Sequence, residues 1–327
     1  MGKTASLANI GSIADSSLGF RNRIINGAMV IDQRNAGASV TPAASTYTLD
    51  RWRLGASVAS KVSVQQSSTA PIGFNYSTLI TTVSAYTFGA NEEVNFSQRI
   101  EGYNIADLGW GTADAKTITV SFWVRSSLTG AFGGVIKNTA ATRSYPFTYT
   151  ISTANTWEQK SITIAGDTTG TWETTSSAGI NVQFCLGAGS SISGTAGAWA
   201  AANLASATGA TSVVGTSGAT FYITGVQLEK GSTATSFDYR PYGTEYQLCQ
   251  RYYSQGSVVP TYNGAALSVT MPAFNFYGQP MRISPTVTAA NGAIGYGFIQ
   301  GFVVVSSAPI SAGAYYLPGA FTATAEL

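Results

Sequence analysis

The stretch FYITGVQLEKG, residues 221–231, decides how this chain folds. Successive side chains of a strand point to opposite faces, so Phe221 and Ile223 share one side. Val226 and Leu228 have the opposite parity. One extra residue at or near Gly225 would turn all four to the same side, and a β-bulge supplies it together with a local bend. A bent strand of this kind belongs in a curved sheet.

Other runs carry the same period of two without the offset. TITVSFWVR (117–125) places Ile118, Val120, Phe122 and Val124 on one face, with Thr119, Ser121, Trp123 and Arg125 on the other. INVQFCLG (180–187) aligns Ile180, Val182, Phe184 and Leu186, and YPFTYTIS (145–152) aligns Tyr145, Phe147, Tyr149 and Ile151. KSITIAG (160–166) and KVSVQQ (61–66) do the same with Ile162 and Ile164, and with Val62 and Val64. One apolar face per run is what antiparallel sheets with a solvated side require. Breaks rich in Gly, Ser, Thr and Asn separate the runs. The expected fold is all-β, an antiparallel β-sandwich of the jelly-roll type.

Helix signals are few. In GTEYQLCQRYY (243–253), Leu248 and Tyr252 stack at i,i+4, as do Cys249 and Tyr253. Thr244 reads as an N-cap and Pro241 as a boundary. WAAANLASA (199–207) reads as two helical turns or as a loop over the sandwich. Beyond residue 253 the strand pattern returns, and FTATAEL (321–327) alternates to its last residue, which predicts pairing inside a sheet. The expected organisation is a segment 1–20, a jelly-roll sandwich 21–241, a helical connector 242–253 and a small C-terminal β domain 254–327. Below about 80 residues a lone core is marginal, so the last unit would lean on a neighbour.

The connector sits in FDYRPYGTEYQLCQRYY (237–253), which holds five tyrosines and two arginines. Tyrosine combines a large apolar ring with a polar tip, which suits a surface covered by another domain or subunit. Tyr239, Tyr242, Tyr246, Tyr252 and Tyr253 are therefore assigned to a domain or subunit junction. A ligand groove is the rival reading.

Composition removes several function classes. Charged residues are 10% of the chain, against about 25% in an average soluble protein. The net charge is +2 with no basic run, which argues against an electrostatic nucleic-acid binder. Histidine is absent, so Ser-His-Asp and Cys-His catalysis are excluded, and the commonest metal ligand is missing. Cys185 and Cys249 alone cannot build a thiolate zinc site, and whether they pair is open. No run has transmembrane length, so membrane insertion is not expected. The N-terminal segment has no apolar run of signal-peptide length.

Two long stretches resemble a known family. NRIINGAMVIDQRNAGAS (22–39), followed by YTLDRWRLGAS (47–57), is similar to the opening of tail-fibre and virion-appendage proteins of tailed bacteriophages. VQLEKGSTATSFDYRPYGTEYQLCQRYY (226–253) resembles the segment that closes their first sandwich. MRISPTVTA (281–289) and the terminal FTATAEL also look like family features, while SQRIEG (97–102) and SFWVRSS (121–127) resemble carbohydrate-binding jelly rolls more weakly. The resemblance implies a non-enzymatic fibre protein of a virion, usually a homotrimer, assembled in the host bacterial cytoplasm. It leaves head and tail positions open. Residues 1–20 would contact other virion proteins, and host-surface polysaccharide would be the ligand. A purely structural decoration protein and a glycan hydrolase are the alternatives.

Within that reading Trp123 stands out, because parity puts its indole on the non-core face. An aromatic plane there suits the apolar face of a sugar ring. Arg125 shares the face, and Asn181 and Gln183 would add planar amides for hydroxyl recognition. The other reading of Trp123 is cover by a loop or a neighbouring subunit. A hydrolase needs two carboxyls across a cleft. Glu92 and Glu93 are adjacent and so face opposite sides, and Glu101 and Asp107 flank a loop with Tyr103 and Trp110. NGAIGYGFIQG (291–301) lacks the Lys and helix of a phosphate loop and reads as turns between strands. No cofactor is expected. A structural calcium would need only oxygen ligands, yet no Asp-rich loop marks one.

Overall fold

The computed structural model describes residues 21–258, 261–264, 281–283, 285–289, 294–298, 301–305, 313–316 and 319–327. The expected attachment segment 1–20 lies outside them. Two antiparallel sheets face each other. The six-stranded sheet runs in the order β1 (Thr46–Leu49), β2 (Trp52–Ala56), β5 (Glu93–Glu101), β10 (Ala178–Ala188), β7 (Gly130–Asn138) and β8 (Ser144–Ile151). The five-stranded sheet runs β3 (Val62–Ser67), β4 (Ser77–Thr82), β13 (Thr220–Lys230), β6 (Ile118–Ser126) and β9 (Glu158–Ile164). Apart from the hairpins β1–β2, β3–β4 and β7–β8, every connection between successive sandwich strands crosses from one sheet to the other, as in a jelly roll. A long loop between β10 and β13 holds the short parallel pair β11 (Ser193–Gly194) and β12 (Ser206–Ala207). Residues 199–205 of that loop are not helical, since Ala200 pairs with Ser144 of β8 instead.

Alternation fixes what each strand turns inward. Ile118, Val120, Phe122, Val124, Ile180, Val182, Phe184 and Leu186 are all fully buried between the sheets. Ile162 is only half-buried, at the β9 edge. An aromatic spine crosses the core: Trp52 stacks on Phe96 at 5.0 Å, and Phe122 meets Phe184 and Tyr149 edge-on, each at 4.9 Å. Such packing adds about 0.5–1.5 kcal/mol per pair to area burial.

The bulge lies where the parity required it. Gly225 has φ +60°, and the β13–β6 register shifts between Thr224 and Gln227. Phe221, Ile223, Val226 and Leu228 are consequently all buried. Space demands glycine too, since a Cβ at 225 would sit 2.6 Å from the Phe74 ring and 3.1 Å from that of Trp123. Beyond the bulge, segment 22–27 pairs with the backbone of β13. Val226 N donates to the Gly27 carbonyl (3.0 Å), Asn22 Nδ2 to the Val226 carbonyl (3.0 Å), and Leu228 N to Asn22 Oδ1 (3.1 Å). At Gly27 a Cβ would stand 2.2 Å from the Val226 oxygen.

The helix α1 (Tyr242–Gln250) starts directly after Pro241. Pro241, not Thr244, is the N-cap residue, and no side chain caps the helix. Proline has no N–H to satisfy and its fixed φ suits a helix entrance, so the turn begins before Thr244 is reached. Tyr252 and Tyr253 follow the helix rather than extend it. Cys185 and Cys249 are both buried and unpaired.

After the helix come β14 (Tyr253–Val258), β15 (Thr261–Gly264), β16 (Thr286–Ala289), β17 (Ile294–Phe298), β18 (Gly301–Val305), β19 (Gly313–Tyr316) and β20 (Gly319–Thr324). The last strand lies between β14 and β16, while β15 pairs with β19 and β17 with β18. The glycine-rich run 291–301 thus contains a strand where turns were expected. Residues 325–327 then dock on the sandwich. Ala325 N donates to the Tyr252 carbonyl at 2.7 Å, and Glu326 pairs with both Arg34 (2.7 Å) and Arg51. Arg51 is 1% exposed, lies 3.5 Å from the centre of the Tyr252 ring and donates to the Arg99 carbonyl at 2.6 Å. The Tyr252 hydroxyl donates to Glu101 at 2.9 Å, and burial is the main force pushing its pKa up to about 12. Asp50, next in sequence to Arg51, is also enclosed. Burial pushes its carboxyl from 3.8 up to about 6, against the pull of Arg34 and two hydrogen bonds from Gln33.

Gly27→Ala should lower unfolding stability by about 1–3 kcal/mol, the range for forcing a methyl into a filled space, as read by urea denaturation. An unchanged midpoint would contradict the contact with Val226. Asp50 supplies a pH test. Its folded-state pKa is raised, so between about pH 4 and 6 the folded chain keeps a proton that the unfolded chain has lost. Stability from this group is greatest below pH 4 and falls as pH rises through 6, by about 3 kcal/mol at most. The stability difference between wild type and Asp50→Asn should therefore change across this window. A constant difference from pH 4 to 7 would show that Asp50 does not titrate there.

Candidate functional site

The outer face of the five-stranded sheet carries Trp123, the residue weighed as a sugar platform from the sequence. The residues opposite each other in register share a face, so Gln65, Leu79, Tyr222 and Arg125 form one row across β3, β4, β13 and β6. Thr224, Trp123 and Gln159 form the next row. Trp157, just before β9, meets the Tyr222 ring edge-on at 6.0 Å, and the Arg125 guanidinium lies 5.1 Å from that ring's centre. Trp123, Tyr222, Trp157 and Arg125 are all half-buried. Trp157 and Arg125 thus both pack on Tyr222, and Trp123 lies one row along the same face. Among the described residues Arg125 Nε has no hydrogen-bond partner.

A loop closes one end of this face. Thr224 Oγ1 donates to the Tyr76 carbonyl at 2.7 Å, and Phe74 covers Gly225 beside Trp123. The aromatic surface continues past the loop, with Phe74 packed on Phe237 at 5.1 Å and on Tyr239 at 5.4 Å. Phe74, Phe237, Tyr239 and Tyr242 line a cavity of about 190 Å³ together with Asn75, Asp238 and Arg240. The Tyr239 hydroxyl latches the loop by donating to the Gly73 carbonyl at 2.5 Å.

The tyrosine cluster therefore divides. Tyr252 and Tyr253 are buried where the sandwich, α1 and residues 325–327 meet, with Tyr246 packed against the same apolar cluster. Arg34 lies 3.8 Å from the Tyr253 ring centre. Tyr239 and Tyr242, assigned to a domain or subunit junction from sequence, are 58% and 65% exposed in the single chain and line the cavity. They precede or open the helix, and in its first turn it is Glu245 rather than Tyr242 that turns into the sandwich, where it accepts from Asn26 N.

Asn181 and Gln183 do not join Trp123. They lie on β10, which belongs to the other sheet, and their outer face is on the opposite side of the sandwich. Matching parity on two strands specifies an outward face but not which sheet. Tyr222, Gln65 and Gln159 were not singled out in the sequence, although the parity of Tyr222 against Phe221 and Ile223 carries the signal. Trp157 precedes its strand, so no alternation marks it.

The acidic residues weighed for hydrolysis, Glu92, Glu93, Glu101 and Asp107, are each engaged. Glu101 is 1% exposed and binds Arg251 at 2.9 Å as well as Tyr252. Asp107 takes two hydrogen bonds from Arg23, at 2.7 and 2.8 Å, and these hold its carboxyl below the usual range. Glu92 accepts from Tyr86 and from Gly89 N, while Glu93 accepts from Asn95 and Gln183. Among the described residues no three His, Cys, Asp or Glu are grouped to hold a metal ion. Nor is any helix among them long and apolar enough to cross a membrane.

No family model and no curated protein matches this sequence. Solved structures do. A protein described as sugar-binding from Bacteroides thetaiotaomicron aligns over 64% of this chain and 100% of its own, at 12% identity and a TM-score of 0.38. The enzymatically active domain of tailspike protein 4 from bacteriophage CBA120 aligns over 64% of this chain and 22% of its own, at 12% identity and a TM-score of 0.34. A family 61 carbohydrate-binding module solved with β-1,4-galactotriose aligns over 65% of this chain and 100% of its own, at 12% identity and a TM-score of 0.32.

Tyr239→Phe removes the latch on Gly73 but keeps the ring. It should reduce stability by no more than about 1 kcal/mol, as for one exposed hydrogen bond. Amide exchange at Phe74, whose N–H closes the loop onto the Pro71 carbonyl, should quicken. Unaltered exchange would mean that ring stacking alone holds the loop.

Proposed function

We propose that this chain is a non-enzymatic, glycan-binding appendage protein of a tailed-bacteriophage virion, acting as a homotrimer, and that its ligand is host-surface polysaccharide. The observation that carries glycan binding is the face built by Trp123, Tyr222 and Trp157, flanked by Arg125, Gln65 and Gln159. Half-exposed rings offer planes for the apolar faces of sugars, and the amides and guanidinium beside them pair with hydroxyls. The virion setting rests on the resemblance of residues 22–57 and 226–253, with residues 1–20 as the attachment segment. The engagement of Glu101 and Asp107 by basic partners supports a binding rather than a hydrolytic role.

A second reading, a structural decoration protein, is favoured by one observation. Ile72, Tyr76, Tyr239 and Tyr242 form exposed apolar surface around the 71–76 loop, and such patches commonly mark protein contacts. Binding of the purified protein to host polysaccharide separates the two. Trp123→Ala and Tyr222→Ala should each weaken it about ten- to hundredfold, by analogy with the 1–3 kcal/mol of an aromatic stack. Light scattering should give a trimer for wild type and both variants. Full binding by both variants would remove the aromatic face from consideration, and a monomer mass would remove the trimer.

A further inference from the structure

The cavity beside the 71–76 loop carries polar groups that the frame leaves unused. Its aromatic walls are the rings of Phe74, Phe237, Tyr239 and Tyr242, and its volume is about 190 Å³. An apolar cavity of about 150 Å³ is enough to take a benzene ring, so a substituent of a sugar ring has room here. Solvent reaches it, because Asn75, Tyr239 and Tyr242 are all exposed side chains of its lining.

Two groups in the lining have capacity to spare. Both hydrogen bonds to the Asp238 carboxylate, from Arg21 N at 3.0 Å and Asn22 N at 3.2 Å, end on Oδ2, and Oδ1 accepts none among the described residues. The Asn75 side-chain amide makes no hydrogen bond among them either, so it offers both a donor and an acceptor. The other two charges of the lining are turned on each other. Arg240 Nη1 donates to both carboxylate oxygens of Glu245, at 3.0 and 3.2 Å.

We propose that this cavity receives the acetamido group of an N-acetylated amino sugar. An acetamido group carries a methyl, an N–H donor and a carbonyl acceptor. The methyl suits the aromatic walls, the N–H suits Asp238 Oδ1, and the carbonyl suits the Asn75 amide. Charged substituents fit this lining less well. A sugar carboxylate would meet Asp238 and Glu245, and an ammonium group would meet the Arg240 guanidinium. A hydroxyl pairs with the amide or the carboxylate but covers none of the rings. The ligand class rests on the glycan-binding reading, and the cavity adds to it a second site, past the loop from the Trp123 face.

Calorimetry with chitotriose, the trimer of N-acetylglucosamine, against its deacetylated form and against cellotriose tests the assignment, because the three differ only in the substituent at C2. Methyl N-acetylgalactosaminide against methyl galactoside covers the other ring configuration. At least one acetylated sugar should bind about tenfold more tightly than its hydroxyl counterpart, the worth of one hydrogen bond and one buried methyl. The deacetylated trimer should show no such advantage. Asn75→Ala should cut the preference to about twofold or less, which is within a fraction of a kcal/mol of none. Asn75 is exposed and has no hydrogen bond to lose, so its variant should melt with wild type. Ala28→Leu, placed in the lining to fill the space, should abolish the preference, and Asn75→Ala decides the matter where that variant does not fold. No acetyl preference in either comparison, tighter binding of the amine, or a preference that survives Asn75→Ala would overturn the proposal. Binding of host polysaccharide that Trp123→Ala weakens, with no acetyl preference, would leave the Trp123 face standing and dismiss this cavity. Failure to bind any sugar, host polysaccharide included, would remove the glycan reading and the cavity with it.

Discussion

The bulge at Gly225 is the constraint on which the rest of the molecule depends. It brings Phe221, Ile223, Val226 and Leu228 into one core, but it also breaks the regular exchange of hydrogen bonds with β6. Buried backbone donors and acceptors left without partners would each carry a desolvation penalty of about 1–3 kcal/mol. Asn22 answers two of them with one amide, taking Leu228 N and giving to the Val226 carbonyl, and Gly27 takes Val226 N. Asn22 must then be held in turn. Its backbone N–H donates to Asp238, whose own N–H donates to Gln227 on the bulged strand. Arg240 binds the carbonyls of Asn22 and Ile24 and the carboxylate of Glu245, which accepts from Asn26 N. The two ends of the sandwich sequence are thus tied together through a single polar network.

The same economy of charge governs the junction. Only 10% of the residues are charged, and several of those are placed where water is excluded. Arg51 and Glu326 pair in the interior, and the tyrosine ring of residue 252 covers the guanidinium. A buried pair of this kind is weak support for stability as such, but breaking it would strand a charge at a penalty of about 3–5 kcal/mol. The pair therefore acts chiefly as a selector: only a C-terminal segment that delivers Glu326 to Arg51 and Arg34 satisfies both cations. Tyrosine serves this place better than phenylalanine, because its hydroxyl also satisfies Glu101.

Much of the frame was legible in the sequence because alternation is a local property. TITVSFWVR and INVQFCLG announce their buried faces without reference to anything distant, and the offset in FYITGVQLEKG announces its bulge. Sheet membership is not local. Trp123 and Gln183 both point outward by parity, yet they stand on opposite sides of the sandwich, since only the crossing pattern of the chain assigns β6 and β10 to different sheets. The tyrosines divide for a related reason. Their shared density in 237–253 suggested one role, but the turn of the chain at Pro241 leaves Tyr239 and Tyr242 outside while Tyr252 and Tyr253 pass into the interior. Trp157 was illegible because it lies ahead of its strand and gains its place only by touching Tyr222.

The division between frame and surface follows from this bookkeeping of hydrogen bonds. Asn22, Asn26, Asp50, Arg51, Gln227, Glu229 and Glu245 all lie in the long segments that resemble phage appendages, and every one is buried and hydrogen-bonded inside the chain. Polar groups already satisfied in this way have nothing left to offer a ligand. Outward residues such as Trp123, Tyr222, Arg125 and Gln159 hang from strands whose inner faces are fixed by the core. Their replacement alters the surface without disturbing the register, because the apolar partners on the other face remain. The motif residues therefore encode the scaffold, and the surface proposed to recognise glycan is encoded by the residues that alternate with the core.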